Sequence, residues 1–265
     1  VDSLSETFRM LPSQELLVPA LTYTILSLPT LLQSFSGGAP GGVVLEAAYG
    51  VLLWLIAPFF TAGIMGVALE ARRRNARMST FFQFAKSRYL SLLIATVLVV
   101  IAIFGIAMVA LLGGIVSYLG GKLVSQSMAA LALLLFLLIL GFLAVAAAVL
   151  FSFYDACVVV ENSDPLSAFT CSMRFVRANL LHVLAFFVLA IAVFLLFSVP
   201  NMIAALYYLL TSLPELSLEA LEGNTLPKPG FGAALLLVSA YIISNTLMTA
   251  FLPAYKAVFY SRLRR

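Results

Sequence analysis

The chain has 265 residues, 63% of them hydrophobic and only 10% charged, and its mean hydropathy is +1.11. A soluble domain of this length needs far more charge to cover its surface, so that class is excluded and the chain is an integral membrane protein. Its apolar runs are long and continuous, which predicts spanning helices, because barrel strands would alternate over about 10 residues.

The opening DSLSETFRML predicts a short amphipathic helix. Ser3 and Glu6 have capping-box spacing, Leu4, Phe8 and Leu11 share a face, and Pro12 stops it. A first apolar run covers 16–35, bent by Pro19 and Pro29. A cleaved signal peptide is the rival reading there, disfavoured by acidic residues before the run and by the missing basic n-region. The second run, 43–69, ends at EARRRNAR, the most basic stretch of the chain. A second amphipathic segment, STFFQFAKSRYL, follows, with Thr80 and Gln83 again at capping-box spacing. The third run covers 89–119 and turns around Gly120-Gly121-Lys122 into the fourth, 128–154.

Next comes YDACVVVENSDPLSAFTCSMRFVRAN, from Tyr154 to Asn179. Asp164 at an N-cap and Pro165 at the first helical position start a third amphipathic helix. Its apolar face is expected to be Leu166, Phe169, Met173 and Val176, with Arg174 and Arg177 beside it, as in helices that lie in a membrane interface. The fifth run, 180–210, has Pro200-Asn201 as its clear breaker, and a polar loop leads to the sixth, 231–260.

Six runs of at least about 20 residues are each long enough to span. Orientation follows from the basic residues: of 15 Lys and Arg, only Lys122 and Lys228 fall on the side opposite the rest. The positive-inside rule then places both termini in the cytoplasm of a cell in whose inner membrane the chain sits. Cys157 and Cys171 fall near that face, so free thiols are expected and no disulfide. The predicted fold is an all-α polytopic membrane protein, with six transmembrane helices and two or three interfacial elbow helices. It forms a single transmembrane domain over 1–265. Amphipathic segments precede each odd-numbered span, which suggests a three-fold repeat of elbow helix plus hairpin at 1–70, 78–160 and 163–262. The alternative stays open that any cytoplasmic loop before a span tends to be amphipathic.

The stretch ACVVVENSDPLSAFTCSMRFVRANLLHV resembles the loop between spans four and five in the membrane-domain superfamily of glycerophosphoryl diester phosphodiesterases. It is similar also to related uncharacterised six-span bacterial inner-membrane proteins. Glu161, Ala168, Ser172-Met173-Arg174 and Ala178-Asn179 carry the resemblance, which implies the six-span fold. The family often has a Pro-Gly pair early in the fourth span, where this chain has only Gly141. No phosphodiesterase domain is present, so hydrolysis is not implied.

Catalytic signatures are scarce. His182 is the only histidine, which excludes paired-His zinc motifs, and it reads as an interfacial aromatic. No Walker loop, dinucleotide fingerprint or Cys-x-x-Cys occurs, and the SGGAPGG stretch reads as a flexible outer turn. No catalytic residue, metal ligand set or cofactor is therefore assigned. Arg72, Arg73 and Arg74, with Arg174 and Arg177, are candidate contacts for lipid headgroups or a partner; their place beside spans argues against nucleic acid. Asp155 and Lys256 lie at similar depths, about 40 Å from the outer ends of their helices at 1.5 Å per residue. A charge at the membrane centre costs about 2.5–3.5 kcal/mol, so the two are candidates to pair, the alternative being separate snorkelling to the headgroups. Asn245, with Ser244, Thr246 and Thr249, sits near mid-span and reads as a hydrogen-bonded helix contact; with Asn201 it is the candidate lining of a polar path. Ala62 and Gly66 form a small-xxx-small pair.

Three functions fit these residues. The first is a non-enzymatic membrane module that binds lipid or a partner protein, in the manner of an accessory subunit. The second is a transporter for an amphiphilic substrate, and the third a lipid-modifying enzyme, disfavoured by the lone histidine.

Overall fold

A computed structural model of the chain describes residues 2–34, 42–72, 76–123, 125–212 and 229–264. Every regular element among them is helical: α1 (Asp2–Met10), α2 (Gln14–Ser34), α3 (Gly42–Ala71), α4 (Met78–Lys122), α5 (Gln126–Phe151), α6 (Tyr154–Glu161), α7 (Pro165–Ala178), α8 (Leu180–Ser212) and α9 (Phe231–Leu263). Five stretches have the length and composition to cross a membrane: Ala47–Ala71, Met78–Lys122, Gln126–Glu161, Leu180–Ser212 and Phe231–Leu263. The chain is a multi-pass helical membrane protein. It divides into two compact units, Val1–Tyr89 with Leu181–Arg265, and Leu90–Leu180.

In the first unit α2, α3 and α9 pack on one another, and α1 packs on α9. Leu16 and Ala20 of α2, Ile64 and Ala68 of α3, and Ala250, Ala254 and Val258 of α9 belong to one buried core, in which the alanines let the helices approach. Gly63 and Gly66 of α3 leave room for the rings of Phe81 and Phe84, so the start of α4 docks on α3. That contact makes the segment after Met78 the first turns of the 45-residue α4, with no break before the span. The expected capping boxes do not form. Ser3 already lies inside α1, where its carbonyl accepts from Thr7 Oγ1 at 2.7 Å, and Thr80 Oγ1 donates to Glu70 instead. Pro200 does not break α8, which continues through it to Ser212; such prolines are tolerated where neighbouring groups satisfy the freed backbone.

In the second unit α4 and α5 form an apolar hairpin. The expected turn at Gly120-Gly121-Lys122 is helical to Lys122, because Gly121 is the point of closest approach: a Cβ there would lie 2.5 Å from Ala129 Cα and 2.7 Å from its N. The fourth run is not one helix. It breaks at Ser152-Phe153 and restarts as α6, ending at Asn162, whose left-handed φ of 58° turns the chain back into α7.

Candidate functional site

The α6–α7 hairpin follows from three local devices. Asp155 lies in the first turn of α6 and its Oδ1 accepts from the Ala156 N–H at 2.8 Å. Ser172 of α7, fully buried, repairs the helix break: its Oγ donates to the Leu150 carbonyl at 2.8 Å and accepts from the Phe153 N–H at 3.1 Å. Asn162 makes the return turn, with the Ser163 N–H donating to the Cys157 carbonyl at 3.4 Å. Antiparallel packing then brings Cys157 and Cys171 to a Cα separation of 6.3 Å, and they form a disulfide. That corrects the expectation of free thiols: a pair 14 residues apart in sequence meets because the break and the left-handed turn fold α7 back along α6.

The side of α7 that packs inward shares only Val176 with the apolar face read from the sequence. Ala168, Ser172, Phe175 and Val176 face inward, Phe175 against Phe153 with ring centroids 5.0 Å apart, whereas Leu166 is 73% exposed. Phe169 and Met173 are half-buried, Phe169 stacking on Tyr154 at 5.7 Å, and Arg174 and Arg177 are exposed.

In the first unit a charged cluster ties α1 down. Glu6 accepts from Arg72 Nε at 3.1 Å and lies 2.9 Å from Arg262 Nη2, while Arg72 Nη1 donates to Ser261 at 2.9 Å. Asp2 adds a looser contact to Arg262 at 3.4 Å. Arg72 thus holds α1, α3 and α9 together, a use that differs from the expected headgroup contact; Arg73 and Arg74 lie outside the described residues. Deeper along α9, Asn245 Nδ2 donates to Thr24 at 3.3 Å and to Ser27 at 3.4 Å, and Ser27 shares a hydrogen with Tyr241 at 2.9 Å. This cluster joins α2 to α9. Asn201 is half-buried on α8. Lys256, also half-buried, belongs to the first unit and Asp155, buried, to the second.

Residues of α2, α3 and α9 also line an open cavity of about 260 Å³. Tyr23, Phe60, Ile64, Met248 and Leu252 make most of its wall, Thr61 and Thr249 add hydroxyls, and Pro253 lines one side.

A family model described as a domain of unknown function, DUF7847, matches residues 2–263. The chain belongs to the DUF7847 family. No curated protein and no solved structure matches it. What sequence reasoning missed in this DUF7847 chain is the pairing of Glu6 with Arg72 and Arg262, the clamp that Ser172 makes at the helix break, and the apolar part of the cavity wall. Glu6, Ser172 and Thr249 each stood out in the sequence for another reason, and the apolar wall residues look there like any other positions of a span.

Proposed function

We propose that this DUF7847 chain is a non-enzymatic membrane module that holds a lipid acyl chain. The observation that carries the reading is the cavity between α2, α3 and α9, apolar apart from Thr61, Thr249 and Tyr23 and of about 260 Å³. Ligand pockets for whole drug-sized molecules span roughly 300–1,000 Å³, so this one suits part of a flexible chain better than a compact polar substrate. Exposed Arg174 and Arg177 supply a second lipid contact, each contributing about 1 kcal/mol near an anionic surface. We infer further that α2 is a sixth span. Its 21 residues reach about 31 Å at 1.5 Å per residue, which matches the hydrocarbon core. The basic residues favour cytoplasmic termini in the inner membrane, with α1 and α7 as interfacial elbows. The likeness to the phosphodiesterase membrane domains supports a shared fold and no hydrolysis.

Native mass spectrometry of protein extracted gently from its own membrane tests the lipid reading. The wild type should retain phospholipid. Ala57 of α3 also lines the cavity, so Ala57→Phe and Thr61→Leu, which fill it, should each reduce retention, while the exposed Leu138→Ile should not. Equal retention in all four proteins, or none in the wild type, refutes it.

A further inference from the structure

Cys157 and Glu161 are one helical turn apart on α6, so both project from the same side of that helix. Cys171 reaches the same point from α7, and a Glu161 carboxylate oxygen and both sulfurs all lie within 4.8 Å of one another. We propose that, once reduced, these three residues form a Zn²⁺ site, and that the Cys157–Cys171 disulfide is the closed, metal-free state of the same site.

The donor set fits the ion. Zn²⁺ takes thiolate sulfur at about 2.3 Å and carboxylate oxygen at about 2.0 Å, so tetrahedral donors stand about 3.5–3.8 Å apart. Donors already within 4.8 Å of one another need to move by only about an ångström to take up that spacing. Thiolates together with a carboxylate select a borderline-soft cation over Mg²⁺ or Ca²⁺, which take oxygen only. Three protein ligands leave the fourth position to water. The scaffold has supports besides the disulfide: Ser172 clamps the helix break and Asn162 sets the turn with hydrogen bonds of their own. Cys157 is fully buried, which shields the site from competing ligands. The motif escapes a sequence search because its cysteines are 14 residues apart and come from two helices.

The two states exchange by a balanced two-electron step. A dithiol reductant gives up two electrons and two protons, the S–S bond breaks, two thiols form, and the reductant closes to its own disulfide. Zn²⁺ then displaces the two thiol protons as the metal–sulfur bonds form. The hairpin would therefore report both thiol redox state and zinc.

The full chain in detergent, treated with a phosphine reductant, is titrated with Co²⁺ as the spectroscopic probe and then with Zn²⁺ in chelator competition. Reduced protein should bind a single ion per chain and show sulfur-to-cobalt charge-transfer absorption, whereas oxidised protein should show neither. Cys171→Ser should abolish the band. Glu161→Gln, which leaves both thiols and the fold in place, should weaken zinc about tenfold or more and shift the band. Monodisperse reduced protein that binds no ion overturns the proposal. So does binding that survives reoxidation or is unchanged in Glu161→Gln.

Discussion

Replacing Ser172 with Ala removes one oxygen atom and strands two backbone groups. The Oγ of Ser172 is the acceptor for the Phe153 N–H and the donor to the Leu150 carbonyl, and it sits where α5 stops and α6 starts. Phe153 and Ser172 are both fully buried, so water does not take over the Phe153 N–H, while the Leu150 carbonyl is only partly buried. A buried polar group left without a partner costs about 1–3 kcal/mol, and two such groups with partial relaxation give about 2–4 kcal/mol. Thr170→Ala on the exposed side of the same helix removes only a hydroxyl that bonds back to the Ser167 carbonyl, and should stay within about 0.5 kcal/mol. Unfolding of the detergent-solubilised protein against a denaturing detergent measures both. Hydrogen exchange localises the effect: the Phe153 amide should exchange faster in Ser172→Ala while amides in the middle of α5 keep their protection. If Ser172→Ala matches Thr170→Ala in stability and leaves the Phe153 amide protected, the α5–α6 break is not held by this hydroxyl and the reasoning fails.

Gly121→Ala should open the α4–α5 hairpin, since its Cβ meets only backbone of Ala129 and Met128, and a loss of about 1–3 kcal/mol is expected in the same unfolding assay. Gly120→Ala next to it meets open space and should gain up to about 1 kcal/mol of helix propensity. Glu6→Gln should loosen α1 by weakening the contacts to Arg72 and Arg262, raising protease cleavage before Gln14, whereas Asp2→Asn, at an 86% exposed side chain, should not. Single cysteines at Ser36 and Ser217, which lie outside the described residues, should label from outside intact cells with a membrane-impermeant maleimide; labelling only after lysis would reverse the orientation.

Much of the architecture is legible because apolar length is a one-dimensional signal. The runs at 43–69 and 231–260 sit inside α3 and α9, and Asp164-Pro165 marks the start of α7 to the residue. What the sequence hides is three-dimensional. Nothing in FSFYDAC announces a helix break, because the group that satisfies it, Ser172, is 19 residues further on from Phe153. The disulfide is hidden for the same reason. The expected cytoplasmic placement leads to free thiols, and only the antiparallel return of α7 shows that the two sulfurs meet. The inward face of α7 is set by small residues, Ala168 and Ser172, that fit against the neighbouring helices, while the large Leu166 faces outward. Hydrophobic periodicity weighs size and misses fit. Asn245 shows the opposite case: an amide in mid-span has few ways to be satisfied, so its bonds to Thr24 and Ser27 on another helix follow from its depth alone.

The two units solve burial differently, and the membrane explains why both work. In the first, α3 and α9 bury long stretches against their neighbours, with Tyr255, Phe251 and Phe186 stacked inside. In the second, none of the most apolar window of Gln126–Glu161 is buried, and Leu134, Leu138 and Phe142 stand exposed along α5. In water an apolar surface of that extent would drive aggregation. In lipid it has no such penalty, and association between helices must come from close fit and hydrogen bonds. The contacts that do hold the second unit are of that kind: Gly121 against Ala129, Thr96 sharing a hydrogen with Tyr154 at 3.2 Å, and the Ser172 clamp. The α6–α7 hairpin is therefore a part of this unit where polar chemistry concentrates, and it carries Cys157, Glu161 and Cys171 beside the Ser172 clamp.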